Sequence, residues 1–266
     1  MIRPGLCSVT FRQLSPGEVA ARAAEAGLEV IEWGGDVHVP PGNAEHAAEV
    51  AAATTDAGLA VCSYGSYFRA GPDEPLTPVL DSAAALGADR VRIWAGRVDS
   101  SDASPQQYAQ IVSRLQDAVA EASERGVALA LEFHRRTLAD TPASTLRLLA
   151  DVPGLSTYWQ PTVDVSDEVA RDEYEQVAAH TSAVHVFSWW PFDTRLRLDE
   201  RAGLWHPLFV AASAQPVPPR DALLEFVVDD DPALLPAEAA TLRAFLAHER
   251  SPASSDPATG RDARRR

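Results

Sequence analysis

The stretch Ala21-Arg-Ala-Ala-Glu-Ala-Gly27-Leu-Glu-Val-Ile31 joins an alanine-rich amphipathic run to a short apolar run through a single glycine. The same order recurs in Thr55-Asp-Ala-Gly58-Leu-Ala-Val61, Ala84-Ala-Leu-Gly87-Ala-Asp-Arg-Val91 and Ala122-Ser-Glu-Arg-Gly126-Val-Ala-Leu129. Glycine favours the left-handed residue that follows a helix because it has no Cβ to clash. Each stretch therefore predicts a helix, its stop and a strand.

The spacing of these units indicates a repeating architecture. Successive glycines are separated by 31, 29 and 39 residues, the length of one strand–helix unit. Two helix starts are also marked, because Ser15-Pro16-Gly-Glu18 and Ser104-Pro105-Gln-Gln107 each place a capping hydroxyl before a proline and an acid or amide three residues on. Strands and helices that alternate in this way predict an α/β fold with a parallel sheet.

The number of apolar runs favours a closed barrel. Eight strands are predicted, at Leu6–Val9, Val30–Trp33, Ala60–Tyr64, Val91–Trp94, Ala128–Phe133, Thr157–Gln160, Ala183–Phe187 and Leu223–Val227. An open doubly wound sheet is the competing topology, but no Gly-x-Gly-x-x-Gly loop follows the first strand. We predict a single (β/α)8 TIM barrel over residues 1–250 and a disordered tail over 251–266, whose composition offers too little apolar surface to dock.

Charge and composition exclude several classes of partner. The chain has 38 acidic and 23 basic residues and a formal net charge of −15, which disfavours nucleic acid and anionic membranes as partners. The amino terminus lacks the pattern of a secretory signal, and no run of 18 apolar residues occurs. We expect a cytoplasmic protein with no membrane contact. Cys7 and Cys62 lie in apolar runs, which favours buried free thiols over a disulfide.

Four consecutive late strands each end near one polar side chain. These residues are Glu132, Gln160, His185 and Glu225. Polar residues at the carboxyl ends of barrel strands face the open end where ligands bind. Two carboxylates in apolar surroundings are costly unless a cation or a hydrogen-bond partner offsets them. The pattern predicts a site for one divalent metal ion, and the alternative is a metal-free layer in which the two glutamates pair with Arg92 or His134.

Over nearly the whole predicted barrel the chain resembles the xylose isomerase-like TIM barrel family, which includes sugar phosphate isomerases and epimerases. The resemblance rests on the order Glu132, position 160, His185 and Glu225, on Gly5-Leu-Cys-Ser8 and on Val30-Ile-Glu32-Trp33. Family members hold one Mn, Mg, Co or Zn ion with a Glu, an Asp, a His and a Glu in that order. The resemblance implies that all four positions are metal ligands and that the two glutamates are catalytic, one removing a proton and the other returning it.

Two departures from the family pattern bear on function. Gln160 stands where the family has Asp, so the ligand set loses one negative charge, and a weaker hold on the ion with stronger polarisation of a bound oxygen is expected. Ser188-Trp189-Trp190-Pro191 replaces a polar, often Arg-containing stretch that many epimerases use on substrate. The identity of the substrate therefore stays open.

Aromatic and basic residues near the other strand ends are candidates for substrate binding. Aromatic rings stack on the C–H faces of sugars, and an arginine or histidine binds phosphate, carboxylate or hydroxyl groups. The alternative for each residue is packing at the barrel mouth or simple solvation. The candidates are Trp33, His38, Tyr64, Tyr67, Arg69, Trp94, His134, Trp189 and Trp190.

The resemblance implies a divalent-metal-dependent isomerase or epimerase of a small sugar or keto-sugar, free or phosphorylated, that transfers a proton through an enediolate. A lyase or dehydratase would use the same residues. DNA-repair endonucleases that share this barrel need further His and Asp ligands and a basic face, which the acidic, histidine-poor chain does not offer. The remaining alternative, suggested by Gln160, is a barrel that binds a ligand or partner without turnover. We expect a small carbohydrate as substrate, and assembly into a homo-oligomer is left open.

Overall fold

The strands of the barrel pair in sequence order, each parallel to the next, and β1 closes the ring by pairing with β8. The computed structural model describes residues 1–247, so the predicted tail at 251–266 and the predicted boundary at residue 250 lie outside the described residues. The closed ring confirms the (β/α)8 barrel. The strands are β1 Arg3–Cys7, β2 Val30–Gly34, β3 Ala60–Gly65, β4 Arg90–Ile93, β5 Ala128–Glu132, β6 Ser156–Trp159, β7 Thr181–Val186 and β8 Asp221–Leu224.

A helix follows each strand. The helices are α1 Pro16–Glu25, α2 Ala44–Asp56, α3 Thr77–Leu86, α4 Pro105–Ser123, α5 Pro142–Asp151, α6 Asp167–Val177, α7 Ala202–Ser213 and α8 Leu235–Ala247. Ser15 and Ser104 form reciprocal capping boxes at α1 and α4, as predicted. The four stop glycines have φ between 70° and 79°, which confirms the helix–stop–strand unit. Among the helices that the structure describes, none is both long and apolar enough to cross a bilayer.

Apolar side chains form two clusters, one on each side of the sheet. The outer cluster fills the space between strands and helices, and it includes Ile31 and Trp33. Because strand side chains alternate between faces, the inner cluster takes the other set of positions. It consists of Cys7, Val9, Val30, Cys62, Ala130, Tyr158, Ala183 and Leu223. Both cysteines are buried free thiols, as predicted.

Strand β4 supplies no member of this inner cluster, because Arg90 and Arg92 take its inward positions, two residues apart. At the amino end of the barrel, Arg90 Nη2 lies 2.6 Å from Asp221 Oδ2, and Arg3 Nη2 lies 2.7 Å from Asp221 Oδ1. Asp221 is fully buried. Strand β1 begins at Arg3 and strand β8 at Asp221, both earlier than predicted. The prediction followed apolar runs, and these first strand residues are charged.

The buried carboxylate of Asp221 is expected to hold this end of the barrel together. Asp221→Asn should lower the free energy of unfolding by about 3–5 kcal/mol, because two arginines would lose their buried counter-charge. Urea denaturation followed by circular dichroism measures the loss. The matched control is Asp89→Asn, whose carboxylate pairs with Arg220 at 3.0 Å on the surface and should cost under about 1 kcal/mol. Equal losses in the two variants would contradict this account.

Candidate active site

A cavity of about 270 Å³ opens at the carboxyl ends of the strands. Glu132, Gln160 and Glu225 line it, together with Arg92 and several aromatic residues of the strand-end loops. This volume is close to the lower end of the range that is usual for small-molecule sites, roughly 300–1,000 Å³. The cavity therefore suits a small molecule rather than a polymer segment.

Three of the predicted metal ligands converge on the fourth, the imidazole of His185. Its Nδ1 lies 3.3 Å from Gln160 Oε1, 3.6 Å from Glu225 Oε2 and 4.0 Å from Glu132 Oε1. Glu132 ends β5, while Gln160 and Glu225 each follow the last residue of β6 and β8. Equivalent depth on neighbouring strands brings the four side chains together.

The donor set admits a divalent cation beside Nδ1. Two ligands that each lie about 2.1 Å from one ion are at most about 4.2 Å apart, and the three separations from Nδ1 satisfy this limit. Among the described residues, one group of ionisable side chains has donor atoms that all lie within 4.8 Å of one another. This group is Cys7, Glu32 and His185, and it shares only His185 with the predicted ligands. An ion beside Nδ1 therefore requires Glu132 and Glu225 to draw closer to each other.

Arg92 links two carboxylates inside the barrel. Its Nε donates to Glu32 Oε1 at 3.2 Å, and its Nη1 donates to Glu132 Oε2. Trp94 Nε1 donates to the same Oε2. Two donors thus occupy one oxygen of Glu132, and its Oε1 is the oxygen that approaches His185.

Gly65 on β3 makes room for this ion pair. A Cβ at Gly65 would lie 2.8 Å from both Arg92 Nη2 and Glu32 Oε1, closer than real Cβ contacts allow. The guanidinium and the carboxylate meet because this position has no side chain.

Burial and neighbouring charges give the three carboxyl groups of Glu32, Glu132 and Glu225 different pKa values. Burial alone would raise the pKa of Glu132, but Arg92 and His185 outweigh it and lower that pKa. Burial is likewise outweighed at Glu32, where His185 and Arg92 lower the pKa to about 2. Burial raises the pKa of Glu225, with His185 offsetting only part of the effect. Glu32 and Glu132 are therefore firmly anionic, and Glu225 takes up a proton more readily.

The metal-free alternative is present in part, since Arg92 does pair with Glu132. It does not exclude a cation. Three ionised carboxylates carry −3, and Arg92 with a divalent ion carries +3 when His185 is neutral. The positive charge of Arg92 thus offsets the third carboxylate, Glu32, so that the site with a bound divalent ion has no net charge.

Trp94, His134 and Trp189 line the cavity, as does Tyr67. The faces of Trp94, however, are covered. The Arg69 guanidinium carbon lies 3.5 Å from the centre of the indole ring, and the His134 ring stacks on it at 4.8 Å. Arg69 itself lines a separate cavity rather than this one. The structure thus gives Trp94 a contact with Glu132 in place of the expected sugar stacking.

One wall of the cavity is an aromatic cluster that the sequence pattern signalled only through Trp189. Phe187 and Phe226 line the cavity beside it, with ring centres 5.3 Å and 5.2 Å from the indole. Phe187 ends an apolar run and Phe226 follows Glu225 directly, so both had the appearance of core residues. This wall offers the apolar surface that a sugar ring can contact.

Trp33 and Tyr64 do not reach the cavity, contrary to their expected place in substrate binding. Trp33 Nε1 donates to Thr54 Oγ1 on α2 at 3.0 Å, and the Tyr64 hydroxyl donates to the Val39 carbonyl at 2.7 Å. Both side chains belong to the outer cluster. The physical reason is strand alternation, because each lies one position after an inward-facing residue.

His38 and Trp190 are also placed elsewhere. His38 is buried, with Nδ1 2.9 Å from Ser8 Oγ and Nε2 3.1 Å from the Leu14 carbonyl, so it is neither solvated nor available to a substrate hydroxyl. Trp190 is 38% exposed and does not line the cavity.

A rim triad went unrecognised in the sequence. Arg12 Nε lies 2.6 Å from Asp36 Oδ2, Arg12 Nη2 donates to the Tyr67 hydroxyl at 3.0 Å, and that hydroxyl donates to Asp36 at 3.1 Å. Arg12 and Tyr67 line the cavity. Three distant loops build this group, so no local pattern marks it.

A family model described as the xylose isomerase-like TIM barrel matches residues 20–209. The chain belongs to the xylose isomerase-like TIM barrel family. A search of curated proteins found no match.

Solved structures of the xylose isomerase-like fold superpose on most of the chain. An L-ribulose 3-epimerase has 18% identity and a TM-score of 0.68, covering 94% of each chain. A family protein from Mycobacterium smegmatis in complex with magnesium has 14% identity and a TM-score of 0.72, covering 94% of this chain and 98% of its own. A probable 3-DHS dehydratase from Bacillus anthracis has 20% identity and a TM-score of 0.67, covering 91% and 99%. At these identities the likeness shows the fold.

Arg92 is the cation on which the buried carboxylates of this xylose isomerase-like barrel depend. Arg92→Met should lower the free energy of unfolding by about 3–5 kcal/mol, because Glu32 and Glu132 would remain buried without their counter-charge. Adding Glu132→Gln to the same chain should recover part of the loss, since one uncompensated charge disappears. A double-mutant cycle by urea denaturation measures the coupling. Strictly additive losses would show that the ion pair is not the source.

Proposed function

We propose that this protein is a divalent-metal-dependent isomerase or epimerase that moves a proton on a small sugar or keto-sugar, free or phosphorylated, through an enediolate. One observation carries the proposal. Oxygens of Glu132, Gln160 and Glu225 converge within 4.0 Å of His185 Nδ1 beside a cavity that suits a small molecule. Membership of the xylose isomerase-like family, and neighbours that include an epimerase and a magnesium complex, support this reading.

Proton transfer is assigned to Glu132 and Glu225. One carboxylate removes the proton from a carbon next to a carbonyl, and a carboxylic acid on the other side returns a proton to the same or the adjacent carbon. Arg92 and Trp94 hold Oε2 of Glu132, which leaves Oε1 for this role. Bound by Glu132, Gln160, His185 and Glu225, a Mn, Mg, Co or Zn ion would meet the negative charge that develops on adjacent substrate oxygens.

Substrate contacts are assigned to the cavity walls. The cluster of Phe187, Trp189 and Phe226 packs against the C–H face of the substrate, and Arg12 and Tyr67, which Asp36 holds in place, bind its hydroxyl groups. The expected partner is accordingly a small carbohydrate. The expected location is the cytoplasm.

A dehydratase is the second candidate, because a solved structure that superposes on this chain is described as a probable 3-DHS dehydratase. The same carboxylates would remove the proton, and an adjacent hydroxyl would then leave as water. Loss of water from the substrate distinguishes this outcome from isomerisation.

The proton-transfer residues can be tested before the product is known. Incubating a panel of keto-sugars and their phosphates with the protein in D₂O, and following proton NMR, detects exchange at the carbon beside the carbonyl. Glu132→Gln and Glu225→Gln should each slow exchange by roughly 10²- to 10⁴-fold, because each removes one proton carrier. Glu25→Gln, on the exposed face of α1, is the matched control. Undiminished exchange in either site variant would refute the mechanism.

Metal dependence has its own test. Dialysis against a chelator should stop exchange, and stoichiometric Mn²⁺ should restore it. Gln160→Asp should tighten Mn²⁺ binding by about tenfold, equivalent to about 1.4 kcal/mol, because it adds a negative charge to the ligand set. Isothermal titration calorimetry measures the affinity. Exchange that continues undiminished after chelation would refute the metal dependence.

A further inference from the structure

Glu32 lies in the middle of β2, buried behind His185 and away from the cavity lining. Its Oε1 lies 3.3 Å from His185 Nε2 and accepts a hydrogen bond from Arg92 Nε at 3.2 Å. Its Oε2 accepts one from Ser63 Oγ at 2.7 Å. Neighbours hold both oxygens, so the carboxylate cannot rotate without losing a partner. Any influence on a substrate must pass through another residue.

The His185 ring has two differently occupied edges. Nδ1 lies within 4.0 Å of one oxygen each of Glu132, Gln160 and Glu225, whereas the nearby carboxylate oxygen on the Nε2 side is Glu32 Oε1 at 3.3 Å. Tyr158 meets the imidazole edge-on, with ring centres 5.4 Å apart, and restricts its rotation. A neutral imidazole carries its proton on one nitrogen and uses the other as an acceptor or ligand. The group beside Nε2 therefore decides whether Nδ1 carries the proton or presents a lone pair.

We infer that Glu32 is a positioning residue for His185: its carboxylate keeps the imidazole proton on Nε2 and leaves the Nδ1 lone pair directed at the ligand oxygens. The inference rests on the proposed function, because it gives Nδ1 the task of holding the cation. A carboxylate behind a ligating histidine fixes the ring orientation and makes the ligand nitrogen more basic. Glu32 is suited to this role because Arg92 and Ser63 keep it anionic and in place.

A competing arrangement uses Glu32 itself as a ligand. Cys7, Glu32 and His185 lie close enough to share an ion on the Nε2 edge. Arg92 opposes it, because its guanidinium lies 3.2 Å from the same Glu32 oxygen and already supplies the positive charge. The two arrangements predict opposite behaviour for a Cys7 variant.

A purely structural role is the other competitor, since Glu32 also neutralises Arg92. Loss of that role in a variant would lower the free energy of unfolding but leave the metal affinity of the folded protein unchanged. Metal affinity and the nitrogen ligation of the bound ion therefore distinguish positioning from structural support.

The experiment is isothermal titration of the full chain with Mn²⁺. Glu32→Gln is expected to weaken Mn²⁺ binding about 10- to 100-fold, with a smaller loss in Glu32→Asp, which keeps the carboxylate but retracts it. Cys7→Ala, which alters a neighbour of the same carboxylate, should leave the affinity unchanged. Electron spin-echo spectroscopy should show imidazole nitrogen coupled to Mn²⁺ in the wild type and a weaker coupling in Glu32→Gln.

Unchanged affinity and nitrogen coupling in Glu32→Gln would overturn the inference while leaving the proposed metal site intact. An equal loss in Cys7→Ala would also overturn it, because the ion would then lie on the Nε2 edge. No Mn²⁺ binding by the wild type would defeat the proposed function and this inference together. Circular dichroism checks folding, and if Glu32→Gln fails to fold, Ser63→Ala takes its place, since freeing one Glu32 oxygen should also weaken Mn²⁺ binding.

Discussion

A guanidinium held between two carboxylates inside the barrel is the interaction on which the rest of the site depends. Glu32, Arg92 and Glu132 are all buried, and without one another each would carry a large desolvation cost. Arg92 contacts both acids and keeps both ionised. Glu132 is thereby presented to the cavity through one oxygen only. The absence of a side chain at Gly65 provides the room for the contact.

This arrangement follows from a layered barrel interior. Strand β4 places Arg90 at the amino end, where it meets Asp221, and Arg92 nearer the carboxyl end, where it meets the two glutamates. The interior also holds the inner apolar cluster, which includes Tyr158 and both cysteines. One end of the interior thus serves stability, and the other collects the groups suited to chemistry, as is usual for (β/α)8 barrels.

The site also shows how a neutral Gln160 is accommodated. Its amide oxygen still approaches His185 Nδ1, so a donor atom is retained although a charge is lost. The third carboxylate, Glu32, is balanced by Arg92 rather than by an ion. Charge in this site is therefore distributed over a wider group of residues than the four expected ligands.

Much of the architecture follows from local patterns in the chain. Alternation of helix, glycine stop and strand, at the spacing of one βα unit, specifies a parallel sheet because each feature depends on neighbouring residues only. The order of Glu132, Gln160, His185 and Glu225 likewise marks the strand ends that meet at the barrel mouth. What tertiary structure decided is which face each side chain takes and which distant groups it meets. Strand alternation turned Trp33 and Tyr64 outward, stacking covered Trp94, and closure brought Glu32 of β2 and Arg92 of β4 against Glu132 of β5. The two Arg92 contacts join residues 60 and 40 positions apart, so they arise from the closed ring and from no local run of sequence.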